Sequence, residues 1–499
     1  MAALAVAAAW LGLAGGCANH SDRLPPPAGA LRAGLTGLTE MDGADPPLAT
    51  TAGGYLIARQ LFDTLTEFGP DGAWQTSLAE SVVSNGAATD WTVRLRAATW
   101  HNGRPVTADD LVWTVRRWFA EDLAPAALLR AVDPRAVVRV DPTTAVFHLT
   151  GPMVDFPEAM ASPLMSILPE GFDALRPVGS GPFTLTRNQP GRRISFAANR
   201  DYWGEGPHVG TLEIRGYPDG AAELAALDAG DIDLAADIDP ADVGRAKASG
   251  WSIYAYPTCA TLAWAMNTKI PPFDNPAARL ALRLAVDREW LAEEVYSGLA
   301  RLGNDLFAPF DPLYNSALPQ RGRDPERAKA MLRAAGLALP VPVTLAGTDN
   351  HPAAQRQNAA LAEQAAAAGF AVQIRPLTIS AFYGEGYGRL SLSLMYWASA
   401  DLFQQAAATT VTGAPFNTTG WSNPDYDALF ADAVASVNVS HRTAVAARMQ
   451  AIEHASGAFV VPVFPDAVMA HSPRVSGFAP APNSDGPIGY AFSRLELRP

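Results

Sequence analysis

Residues 219–234 read DGAAELAALDAGDIDL. Residues 219–229 form an Ala-rich helix, Gly230 stops it, and Asp231-Ile232-Asp233-Leu234 is a strand. Glycine ends a helix well because it enters left-handed backbone at little cost. A helix leading directly into a strand signals a mixed α/β sheet. The same texture continues on both sides. Upstream, residues 54–66 have helical spacing, and Trp91–Arg96 alternates as a half-buried strand. Thr107 caps a helix with Asp109 and Asp110 on its positive end. Gly179-Ser180-Gly181-Pro182 turns sharply into the strand Phe183–Thr186, and Leu212–Arg215 reads as another strand. Downstream, helices are expected over 276–300, 323–335, 351–368 and 424–455, with strands over 341–346, 370–376, 390–395 and 459–464. Pro462 lacks an N–H, so the last strand is expected to be an edge or to bulge there.

The composition sets the class. The chain has 499 residues, enough for about three domains of ordinary size. Its 48% hydrophobic and 17% charged residues allow a large core and exclude general disorder. The formal net charge of -13 argues against nucleic acid, whose phosphates need clustered Lys and Arg. With only Cys17 and Cys259, there is no disulfide framework.

The N-terminus reads as a targeting segment. Residues 2–16, AALAVAAAWLGLAGG, are uncharged and apolar, too short for a membrane anchor and of the length of a secretory core. They end in Ala14-Gly15-Gly16-Cys17, which resembles a bacterial lipobox and makes Cys17 the candidate for lipidation. A signal peptide is expected over 1–17 and a polar, Pro-rich tether over 18–30. No second segment reaches transmembrane length, so attachment to the membrane is expected only through the N-terminal lipid, at the periplasmic or cell-surface side.

Further landmarks recur in a fixed order. They are Leu61-Phe62-Asp63-Thr64-Leu65, Gly69-Pro70-Asp71-Gly72, Trp100-His101-Asn102-Gly103 and Thr107-Ala108-Asp109-Asp110. Then come Val178-Gly179-Ser180-Gly181-Pro182-Phe183, Asn199-Arg200-Asp201-Tyr202-Trp203-Gly204, Pro271-Pro272-Phe273-Asp274 and Ala285-Val286-Asp287-Arg288. In this order the chain resembles the bacterial family 5 solute-binding proteins of ABC importers, the oligopeptide- and dipeptide-binding group. The resemblance implies an α/β, two-lobed periplasmic-binding-protein fold of the cluster C type with an extra inserted small domain. Lobe I would comprise 31–47, 170–262 and 470–499, the inserted domain 48–169, and lobe II 263–469. It also implies closure on an oligopeptide or related solute, delivery to ABC permease subunits served by a cytoplasmic ATPase, no cofactor and no enzymatic step. Most of the shared motifs are expected to shape turns and caps.

In peptide-binding members an Asp three residues after a Trp grips the peptide amine. Here Trp397-Ala398-Ser399-Ala400-Asp401 sets the acid four residues on. Asp401 is therefore the candidate charge, with Trp397 and Tyr396 as apolar walls. Asn417, Trp421, Tyr55 and Trp264 are further candidates for ligand contact. The spacing leaves sugars, opines, metal chelates and haem as alternative ligands. The eight His show no metal spacing, and the series Asp231, Asp233, Asp237, Asp239 lacks the Gly and terminal Glu of a calcium loop. No nucleotide-binding glycine loop occurs, and Gly179-Ser180-Gly181 is not a nucleophile elbow, so the ATPase is expected on another chain and the sequence counts against an exported hydrolase, the rival class.

Overall fold

The computed structural model describes residues 29–129, 131–348, 352–378, 381–382, 386–398, 400–483 and 486–498. The expected signal peptide, Cys17 and nearly all of the tether lie outside these residues. Among the described residues, no helix is long and apolar enough to cross a membrane.

Three principal sheets organise the chain. The largest runs, in spatial order, Ser252–Pro257, Val463–His471, Leu234–Ala235, Ala30–Thr36, Thr211–Tyr217, Arg193–Ala198 and Phe183–Gln189. Ala30–Thr36 is parallel to both of its neighbours. The helix Gly220–Asp228 makes that crossover and buries Leu224 and Leu227. Asp219 caps it by accepting the Ala222 N–H at 2.8 Å. The helix of the opening stretch is thus as expected, while its strand is shorter, Leu234–Ala235.

The second sheet has four antiparallel strands, Ala79–Ser84, Asp90–Leu95, Thr144–Leu149 and Val132–Arg139. The helix Ala108–Ala120 covers it over a core rich in aromatics: Trp91, Trp100, Trp118, Phe147 and Phe156. The third sheet runs Phe370–Leu377, Val341–Thr348, Leu392–Ala398, Ala260–Met266 and Phe459–Val460. Its helices Pro276–Ala285, Pro325–Ala334 and Pro352–Ala367 bury apolar faces against it. The paired helices Pro424–Ala435 and Val439–Ser456 form a smaller core with Phe403 and Trp421.

Hydrogen bonding and packing move three of the expected boundaries. Leu56, Ile57, Leu61 and Phe62 are buried with Phe183, Phe196 and Leu212 of the largest sheet, so the segment after residue 48 packs with lobe I. Ala260–Met266 pairs wholly with Leu392–Ala398 of the third sheet, three residues earlier than the expected crossing. Val463–His471, expected in lobe II up to residue 469, pairs with Ser252–Pro257 of the first. The ladder of Phe459–Val460 ends just before Pro462, where the missing N–H breaks a strand, and the chain crosses back between lobes.

The recurrent motifs meet at the joint between lobe I and the inserted domain. Buried Asp63 accepts hydrogen bonds from Ser180 Oγ (2.7 Å), Trp203 Nε1 (3.0 Å) and Tyr202 Oη (3.1 Å). A Cβ on Gly179 would lie 1.7 Å from the Leu61 carbonyl oxygen, so only glycine allows this close approach. Asp110 accepts the Thr107 N–H at 3.0 Å and the Trp100 indole at 3.2 Å. In lobe II, fully buried Asp305 takes 2.6 Å bonds from Arg288 and from Arg321, which gives the Asp287-Arg288 motif a packing role.

Candidate functional site

The lobes and the inserted domain enclose a cleft with two compartments that share Tyr55 and Tyr490. The first holds about 340 Å³ and the second about 660 Å³. Both lie where the chain crosses between sheets, so their walls come from opposite sides of the crossing.

The strand Leu392–Ala398 aims the aromatics. Successive side chains of a strand point to opposite faces. Trp397 therefore lines the first compartment, and exposed Tyr396, together with Leu394, lines the second. Trp397 is half-buried and lies 6.5 Å, centroid to centroid, from Phe416 across the same wall. Among the described residues, its buried indole nitrogen has no hydrogen-bond partner. Such a donor is left for whatever enters the cavity.

Asp401 follows at the start of the short helix Leu402–Gln405 and accepts the Gln404 N–H at 2.7 Å. Asp311 accepts the next free N–H, that of Leu402, at 2.7 Å. Glu158 reaches the compartment from the inserted domain. Burial, and then the charges of Asp311 and Asp155, push the Asp401 carboxyl well above the aspartate range. Glu158 is pushed up to about 7, first by burial and then by Asp155 and Asp311, against the pull of Arg442. Among the described residues, one of its oxygens is buried without a hydrogen-bond partner. On the opposite wall, Glu67 sits 3.6 Å from the guanidinium of Arg59 and 3.6 Å from that of Arg494. The first compartment thus has an acidic end and a mixed end.

The second compartment is walled by Leu35, Ala353 and Leu394 together with Tyr55, Tyr396 and Phe382. Among the described residues its lining carboxylates are Asp237 and Asp466, with no Arg, Lys or His. Asp237 accepts the Thr36 hydroxyl at 2.8 Å. Burial alone pushes Asp466 up to about 6.

Asp401, Trp397 and Tyr55 come together in the first compartment, and Tyr55 and Tyr396 in the second. Three other expected residues stand apart. Trp264 is fully buried in the lobe II core and donates its indole N–H to Asn358 at 2.9 Å. Trp421 is buried against Tyr426 and donates to the Ser456 carbonyl at 3.0 Å. Asn417 holds its own turn by donating to the carbonyls of Val411 (3.2 Å) and Trp421 (2.9 Å). Their side chains are engaged by packing and by local hydrogen bonds, and none of the three is among the lining residues of either compartment. Arg59, Glu67, Glu158, Asp466 and Arg494 had no local signal in the sequence. Among the described residues, no three His, Cys, Asp or Glu gather as metal ligands. Asp233 pairs with Arg32 at 2.9 Å and Asp239 with Arg356 at 2.7 Å, which accounts for two members of the acidic series. Cys259 is buried at the wall of the first compartment.

Residues 73–422 match the family described as bacterial extracellular solute-binding proteins, family 5 Middle. The chain is 26% identical to di/tripeptide-binding protein 2 of Pseudomonas aeruginosa, over 91% of this chain and 93% of that one. It is 25% identical to heme-binding protein A of Haemophilus influenzae, over 88% of each. Its fold is like that of the periplasmic binding protein DppA of Helicobacter pylori, solved in complex with the peptide STSA. That likeness has a TM-score of 0.80 at 21% identity and covers 95% of this chain and 98% of that one.

Proposed function

The chain belongs to the bacterial extracellular solute-binding proteins of family 5, and from that membership we propose that it captures short peptides in the two-compartment cleft and delivers them to an ABC permease. The observation that carries the peptide reading is the acidic end of the first compartment. Asp401 and Glu158 line it, the charge of Asp311 acts on both, and their carboxyls are held far from their ordinary acidity. An entering ammonium would satisfy Asp401, since pairing offsets the cost of burial. Trp397 would flank the amine end and offer its indole N–H to a peptide carbonyl. The mixed-charge wall of Arg59, Glu67 and Arg494 suits further backbone and a carboxylate.

Capture works by closure. Contacts made only when the lobes meet shift the population toward the closed form, which docks on the permease. ATP hydrolysis by the partner subunits then drives import, and no bond of the solute is broken by this chain. Lipidation of Cys17 would keep the protein at the membrane, and mass spectrometry of the N-terminal peptide from the secreted protein tests it.

The test of the ligand is a thermal-shift screen of residues 18–499 against di- to hexapeptides. A ligand that binds only the folded state raises the melting temperature. A shift with peptides that Asp401→Ala removes supports amine recognition. Silence with every peptide and a shift with haem, favoured by the likeness to heme-binding protein A, would replace the peptide by that ligand.

A further inference from the structure

The second compartment is larger than the first, yet the reading above leaves it without an occupant of defined chemistry. Among the described residues its charged lining is of one sign: Asp237 and Asp466 face it, and no Arg, Lys or His does. The two acids differ in what they already do. Asp237 is exposed and engaged by the Thr36 hydroxyl. Asp466 is half-buried on the strand Val463–His471, with its N–H donated to the Leu299 carbonyl at 2.9 Å. Among the described residues its carboxylate has no hydrogen bond and no ion pair. Burial without a partner is what pushes its acidity toward neutrality.

Beyond the lining, Arg356 follows Ala353 and Ala354 in the helix Pro352–Ala367. It is committed elsewhere. Asp239 of lobe I takes two hydrogen bonds from it, at 3.0 and 2.7 Å, and the Val295 carbonyl takes a third at 3.2 Å. An anionic group entering the compartment would meet two carboxylates and no free cation. A neutral polar group would leave Asp466 as it is. A cation on an apolar stem would suit every wall: Leu35 and Leu394 along the stem, the rings of Tyr55, Tyr396 and Phe382 beside the charge, and Asp466 as counter-ion.

We propose that the second compartment is a subsite for a cationic side chain of the bound solute, a Lys or Arg of a peptide, paired to Asp466. The inference rests on the peptide reading for its ligand but on separate residues for its selectivity, so the two fail separately. The experiment is calorimetry with the tripeptides Ala-Lys-Ala, Ala-norleucine-Ala and Ala-Glu-Ala, and with the same three side chains at the third position. At one position the Lys peptide is expected to bind about tenfold more tightly than its uncharged norleucine counterpart, and the Glu peptide more weakly than both. Asp466→Asn is expected to erase the Lys advantage while leaving norleucine binding within about twofold. Asp237→Asn, at an exposed site, should reduce that advantage in part and serves if Asp466→Asn does not fold. Equal binding of Lys and norleucine at both positions, a preference for Glu, or a Lys advantage that survives Asp466→Asn overturns the proposal. If no tripeptide binds at all, the peptide reading fails, and cadaverine and agmatine become the probes. A rise in melting temperature with either amine that Asp466→Asn removes then keeps the cationic subsite, and no rise with either overturns it.

Discussion

The two compartments share Tyr55 and Tyr490 but differ in charge. The first sets carboxylates from lobe II and the inserted domain against a wall where Glu67 lies between Arg59 and Arg494. Among the described residues the second shows only acid, and the neighbouring Arg356 is already spent on Asp239. A cavity of both signs can orient a zwitterionic backbone by its two ends. A cavity of one sign can only choose among side chains. The difference suggests a division of labour, with recognition of peptide ends in one space and of side-chain character in the other.

Removing the acid of the first compartment should have the largest effect. Asp401→Ala is expected to weaken peptide binding by 100-fold or more by calorimetry, on the order of 3 kcal/mol, because the ammonium is left buried and unpaired. If the loss is under about threefold, the first compartment does not hold the amine and the division collapses. Trp397→Ala should come next, at roughly 10- to 30-fold for every peptide alike, since a wall contact is blind to side-chain charge. A loss confined to Lys peptides would mean that the two spaces act as one.

Smaller effects sharpen the comparison. Arg356→Ala breaks the ion pair to Asp239 across the lobes, which is partly exposed. The closed form should lose on the order of 0.5–1 kcal/mol, read as a two- to five-fold loss of affinity for all peptides and a larger radius of gyration of the empty protein in small-angle scattering. A gain in Lys peptide binding alone would instead assign this arginine to the side-chain subsite.

The smallest effect concerns stability. Glu158 is raised to about 7 in the folded protein, above its ordinary value. The folded state therefore holds this proton more tightly than the unfolded chain, and stability falls as pH rises from about 4.5 through 7. Glu158→Gln should raise the melting temperature of the empty protein by about 1–2 °C at pH 8 and leave it unchanged near pH 4. Bound peptide should shrink the gain at pH 8 if its ammonium lies near Glu158.

Much of the fold was legible because its elements are locally encoded. Asp219 and Asp324 start helices where their side chains cap the free N–H groups, and the run after Ser391 alternates as the strand it becomes. The break at Pro462 separates two strands that belong to different sheets. The helix 54–66 ends earlier than its pattern suggested, at Leu61, because the chain must turn there to place Asp63 among Ser180, Tyr202 and Trp203. The candidate site was legible along the segment carrying Tyr396, Trp397 and Asp401, and at Tyr55. Trp264 and Trp397 both lie on strands of one sheet, paired side by side, yet the first is sealed in the core and the second opens on the cleft.

The sequence by itself determined the family, the helices and strands, and a tryptophan–acid pair at a strand end, because capping, periodicity and motif order are properties of neighbouring residues. Only the tertiary structure decided which aromatics face the cleft and which charges meet there. Arg59, Glu158, Asp401, Asp466 and Arg494 come from separate segments spread along most of the chain. Periodicity marks which face of a strand is apolar, but what that face meets depends on the crossings near residues 258 and 462, where two lobes turn toward each other.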